Sequence, residues 1–94
     1  MDPRRTFGQA LRAARKSKGI SQEEFSVVSS RTYVSSIERG IKSPTVEKID
    51  NLASALKIHP VSLLLLAYMQ DKENNLDALL QRIRGEVSEI LDEN

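Results

Sequence analysis

The sequence has no cysteine, no tryptophan and a single histidine, His59. Without cysteine there is no disulfide framework, no thiolate nucleophile and no zinc site of the cysteine type. The lone histidine, wedged before Pro60, has no second imidazole with which to hold a metal and no triad partner. Composition therefore argues against hydrolytic and metal-assisted catalysis, and the expectation is a non-enzyme without metal or cofactor. Long apolar runs are missing too. The longest, Val61 to Met69, falls far short of the roughly 20 residues that span a bilayer. The N-terminal stretch through Lys16 lacks the apolar core of a secretory signal. A soluble cytoplasmic protein with no membrane contact is expected.

Net charge is also scarce, at +1 from 14 Lys+Arg against 13 Asp+Glu, but its distribution is uneven. Residues 1–48 carry ten basic and five acidic side chains, whereas residues 49–94 carry four basic and eight acidic ones. A basic front and an acidic back fit a half that faces nucleic acid and a half with another task. With 94 residues there is room for one domain. A domain of this size buries only about 60–65% of its unfolded surface, so association would help it.

What is present is helical punctuation, with no convincing two-residue alternation of a strand. Phe7, Ala10, Leu11 and Ala14 recur at the spacing of one buried helix face, which predicts a first helix from about Arg4 to Lys18. Pro3 suits its first turn and Gly19 the position just past its end. Ser21-Gln22-Glu23-Glu24 reads as a capping box opening a short second helix, with Phe25 and Val28 inward. Ser30 caps a third helix running to about Arg39, where Val34 and Ile37 form a thin apolar stripe and Arg31, Thr32, Ser35 and Ser36 a small polar side. Thr45 caps a fourth helix with Ile49, Leu52, Ala53 and Leu56 on one face. A fifth runs from Val61 to about Met69. Gln70 to Asn75 is the plausible linker, and a last helix from about Leu76 to Glu93 closes the chain.

A short capped helix, a tight turn and a second helix with a small polar face make a helix-turn-helix. A B-form major groove about 12 Å wide admits one helix bearing modest side chains. The preceding helix then crosses the backbone, where its N-terminal amides and Gln22 can hold a phosphate.

With SQEE at the second helix, IERG closing the third and SPT opening the fourth, in that order, residues 6–68 resemble the phage Cro/CI-type (XRE) helix-turn-helix family of transcriptional regulators. The resemblance implies an all-α, five-helix Cro/CI-like DNA-binding domain over residues 1–70. Residues 71–94 add a C-terminal helix for dimerisation or for packing on the domain. It implies a sequence-specific regulator, such as a repressor, that binds a two-fold symmetric double-stranded operator as a homodimer, with the helix at about 30–39 in the major groove. Carried over by position, Arg31, Thr32 and Ser36 fall where bases are read, and Ser35 where a base or a phosphate is touched. Gln22 falls on a phosphate, and Arg39 and Lys42 on the flanking backbone. The family often pairs the IERG glutamate with an arginine of the first helix, which here implies a structural ion pair of Arg15 with Glu38. One departure stands out. The segment Val27-Val28-Ser29-Ser30 is two residues shorter than the family's usual turn and has no glycine, so the second helix ends early or the turn is unusually tight.

Other residues leave alternatives open. Tyr33 sits at the core edge or bonds a phosphate, and the basic run Arg12, Arg15, Lys16, Lys18 is a phosphate-steering or merely solvated face. Leu76, Leu80, Ile83, Val87 and Ile90 step by 4, 3, 4 and 3, an a/d-type seam that joins two copies or lies as a lid over Leu63–Leu66. A different class of function fits the same scaffold: a protein-binding, antitoxin-like or adaptor module whose partner, such as polymerase or a toxin, docks on the last helix. The polar third helix favours DNA.

Overall fold

Asp2 starts the first helix. Its carboxylate accepts the Arg4 amide at 3.1 Å, Pro3 pre-sets the first helical φ, and α1 runs Pro3–Ser17. The computed structural model describes residues 2–27, 30–70 and 75–92. In these, α1 is followed by one turn of 3-10 helix at Glu24–Val27, then α2 (Arg31–Glu38), α3 (Val46–Leu56), α4 (Pro60–Tyr68) and α5 (Leu76–Asp92). The architecture is all-α. The second helix of the sequence reading is thus a single 3-10 turn, which fits a segment two residues short: the chain must reach Ser30 before a full α-helical turn can close. The expected inward position of Val28, most of the expected linker at 70–75, and Glu93 lie outside the described residues.

Three helices end in the same way. Gly19, with φ 69°, donates to the Lys16 carbonyl while Ile20 donates to Arg15. Gly40, with φ 74°, repeats the pattern onto Ile37 and Ser36. Lys57 repeats it again onto Ser54 and Ala53, at φ 59° and without the benefit of glycine. Each closure satisfies carbonyls that a helix end leaves open and turns the chain back toward the core.

The core gathers Phe7, Leu11, Phe25, Val34, Ile37, Leu52, Leu56 and Leu63, all of them buried. α1 lies against α4 and α2, α3 packs on α4, and the axes of α3 and α4 turn through 101°. Close approach of α1 to the end of α2 depends on Gly8. A Cβ there would stand 2.4 Å from the Ile37 carbonyl oxygen and 2.8 Å from that of Glu38. No single helix among the described residues is long and apolar enough to cross a membrane.

α5 differs. Asn75 caps it, its side-chain oxygen accepting the Ala78 amide at 3.0 Å, yet no described residue of the helix is buried. Leu79 and Ile83 are half-buried and face Leu65 and Tyr68 across an open groove, which Arg82 and Glu86 also line. Leu76, Leu80 and Val87 remain more than two-fifths exposed. The helix is therefore no close-fitting lid on the α4 run.

Candidate nucleic-acid interface

The end of the molecule where α1 meets α2 is built on one ion pair. Arg15 of α1 donates to both carboxylate oxygens of Glu38 at the end of α2, Nε at 2.7 Å and Nη2 at 3.0 Å. Its third bond, Nη1 to the Ile20 carbonyl at 2.8 Å, ties in the chain after α1. The two side chains are 10% and 4% exposed, so the charges are almost wholly withdrawn from water. The bond to Glu38, more than the opposing cost of burial, holds the Arg15 guanidinium above its ordinary pKa. Gln22 Nε2 adds a bond to Glu38 Oε1 at 3.1 Å. α1, the turn before the 3-10 helix and α2 are thus joined at a single carboxylate.

Local capping sets the entry to α2. The Ser21 hydroxyl accepts the Glu24 amide and the Glu24 carboxylate accepts the Ser21 amide, both at 3.1 Å. Ser30 accepts the Tyr33 amide at 3.0 Å and so fixes the first turn of α2. Arg31, the first helical residue, and Thr32 are exposed, and Ser35 is half-exposed on the same side. Arg31 Nη1 stands 3.4 Å from Glu23 Oε1.

Ser36 is where the structure departs from the expected base-reading set. It is only 7% exposed, and the Ile41 and Lys42 amides of the turn at Gly40 both donate to its carbonyl. A side chain so covered is not presented to a groove. Arg39 is exposed, its Nε bonded to the Ser35 carbonyl at 3.3 Å. Lys42 is exposed beside it.

Two residues outside the sequence-derived set join this surface, the first being Lys48, which reaches it at Tyr33. Tyr33 is half-buried against the core, and the Nζ atoms of Lys42 and Lys48 stand 6.0 and 5.3 Å from its ring centroid, within cation–π range. Burial pushes the Tyr33 hydroxyl above its ordinary pKa, so it stays protonated and able to donate. Lys48 sits in the first turn of α3, fifteen residues along the chain from Tyr33, and the tertiary fold brings its ammonium to the ring. Glu23 is the second, a carboxylate at the tip of the face. Among the described residues no group of His, Asp or Glu side chains is arranged to hold a metal ion.

Residues 11–63 match the helix-turn-helix family model. The chain belongs to the XRE-type helix-turn-helix family of transcriptional regulators. This makes it a DNA-binding protein of a regulatory kind, and α2 the second helix of the helix-turn-helix unit. Among its relatives, the uncharacterized HTH-type transcriptional regulator y4dJ of Sinorhizobium fredii is 42% identical over 65 residues, 67% of this chain and 84% of that one. The restriction-modification controller protein C.AhdI from Aeromonas hydrophila is 43% identical with a TM-score of 0.58, over 62% of this chain and 91% of that one. The clp gene regulator ClgR from Corynebacterium glutamicum is 27% identical with a TM-score of 0.68, over 96% of this chain and 90% of that one. Coverage that high takes in α5, so the likeness to this structure extends past α4. The three are regulators or controllers by name.

Proposed function

We propose that this chain is a sequence-specific regulator that binds a two-fold symmetric DNA operator as a homodimer, with α2 in the major groove. The observation that carries the proposal is the makeup of one face: Arg31 and Thr32 exposed at the capped start of α2, with Arg39, Lys42 and Lys48 alongside. Arg31 has the donors for a bidentate bond to guanine O6 and N7, and Thr32 and Ser35 are short enough to let the helix approach base edges. Lys42, Lys48 and the Tyr33 hydroxyl hold backbone phosphate, with Arg39 beside them. Gln22, oriented by Glu38, keeps a second amide hydrogen for a phosphate on the other strand. Acting on DNA, the protein works in the cytoplasm.

Residues 1–70 are the DNA-binding unit in this reading, and 71–94 supply the helix that pairs two copies. Its support is the exposed part of the apolar strip of α5, Leu76, Leu80 and Val87, which the four-helix unit does not bury. A two-fold dimer would set its α2 helices about 34 Å apart, on one face of the duplex. The alternative, a protein-binding module, finds little purchase on α2, whose outward residues are polar.

A binding titration tests the reading. Arg31→Ala is expected to lose about 1–3 kcal/mol on the specific site and to relax preference at one base pair, whereas Lys48→Ala weakens all sequences nearly alike. Affinity should fall with salt at a log–log slope of about −0.9 per phosphate neutralised, despite the near-zero net charge. An Arg31→Ala protein with unchanged affinity and preference, or a nearly flat salt dependence, returns the protein-binding alternative.

A further inference from the structure

The tip of α2 carries an arrangement that neither folding nor phosphate binding explains. Arg31 is the first residue of the helix, where the positive end of the helix dipole disfavours a cation. Its guanidinium lies 3.4 Å from the Glu23 carboxylate, with the two side chains 65% and 77% exposed. An ion pair this open adds little to stability. A carboxylate on a surface that meets DNA also repels the phosphates. Arg31 breaks a local electrostatic rule at the helix start, and its open pair with Glu23 returns little stability, which is the mark of a residue kept for function.

We infer that Glu23 is a specificity-determining residue, which steers the Arg31 guanidinium away from phosphate and toward a neutral guanine edge. The inference rests on the reading of α2 as the base-reading helix. Guanidinium has five N–H donors. Glu23 engages Nη1, and the Nε and Nη2 donors remain for O6 and N7. Guanine presents those acceptors without net charge, so Glu23 costs that contact little. A phosphate in the same place would bring a full negative charge beside the carboxylate. Free arginine at a helix tip binds phosphate on any sequence; an arginine held by Glu23 discriminates against it. The carboxylate thereby lowers affinity for random DNA more than affinity for the operator, and the ratio of the two rises.

The test uses the full chain, a duplex enriched by this protein from a random-sequence DNA pool, and a scrambled duplex of equal length. Glu23→Gln is expected to tighten binding to the scrambled duplex about two- to fivefold, in line with one exposed charge pair, while affinity for the enriched duplex stays within about twofold. The salt slope on the scrambled duplex steepens by about one phosphate contact. In an Arg31→Ala background the same substitution leaves the ratio of affinities unchanged. Equal tightening on both duplexes, or an altered ratio that persists without Arg31, overturns the inference, because Glu23 would then act only through the general field. Arg31→Ala alone separates the two layers. If that change leaves sequence preference intact, the base-reading role of α2 falls, and this inference with it.

Discussion

The four-helix unit and α5 show the same kind of sequence pattern and opposite surroundings. In α1, the faces of Phe7, Ala10, Leu11 and Ala14 are covered by α2 and α4, and all four residues are buried. In α5, the 4-3-4-3 strip of Leu76, Leu80, Ile83, Val87 and Ile90 includes no buried residue. The difference teaches that amphipathic spacing specifies a helix and a face, and leaves open what covers the face. In the unit, what covers it is this chain, held by helix closures and one buried ion pair. For α5 the cover is missing from a single copy, and a lone helix is marginal in water.

The contrast is sharpest at Glu38. Replacing it with alanine leaves the Arg15 guanidinium buried without its carboxylate and frees Gln22 and the turn before the 3-10 helix. Loss of one partner of a buried pair costs about 3–5 kcal/mol. Chemical denaturation of Glu38→Ala is expected to show a loss of that order, with Glu38→Gln milder because it retains acceptor geometry. A loss under about 1 kcal/mol would mean that the unit is not held at this carboxylate.

Gly8→Ala comes next. The added methyl meets backbone oxygens of Ile37 and Glu38, which cannot swing aside as a flexible side chain would. Forcing α1 and α2 apart is expected to cost about 1–3 kcal/mol in the melting curve. A wild-type melt would show that the two helices slide freely, and the unit would then resemble α5 more than it does here.

Lys57→Gly runs the other way. Gly19 and Gly40 close α1 and α2 in the left-handed conformation, and Lys57 closes α3 in the same conformation at a cost of about 1–2 kcal/mol. Glycine removes that strain, but its freer unfolded chain takes back about 0.5–1 kcal/mol. A net stabilisation of up to about 1 kcal/mol is expected in denaturant titration. Destabilisation would show that Lys57 makes a contact outweighing its backbone strain.

Much of this was legible in the sequence where local chemistry decides. Capping at Ser21, Ser30 and Thr45 follows from short polar side chains beside apolar periods, and the core residues from helical spacing. The shortened segment at 27–30 left two outcomes open, an early end to the second helix or a tighter turn, and the residues before it, Glu24–Val27, form a 3-10 turn. Contacts set by tertiary folding were harder to read. Ser36 looks outward on a helix diagram, yet in the fold it is only 7% exposed. Lys48 approaches Tyr33 from another helix, fifteen residues along the chain, which no local pattern shows. Glu23 was visible as part of a capping box, but nothing in that pattern shows its approach to Arg31, eight residues on.

The smallest expected change in folding stability belongs to Val87→Glu, and it tests the comparison most directly. Val87 is 49% exposed in a single copy, so a charge there meets water and should alter the four-helix unit by no more than about 0.5 kcal/mol. In a dimer joined through α5 the same carboxylate is placed in an apolar seam, where an unpaired charge is costly. The two situations separate by concentration. Wild-type protein should sediment as a dimer at low micromolar concentration, with a melting temperature that rises as concentration rises, since association stabilises the associated state by mass action. Val87→Glu should sediment as a monomer whose melting temperature does not depend on concentration, and its affinity for an operator should fall because the second half-site is no longer tethered. If the variant still sediments as a dimer, two copies meet through α4 or another face. If instead it weakens the unit by more than about 1 kcal/mol while monomeric, α5 belongs to the unit's own core and the distinction between the two regions disappears.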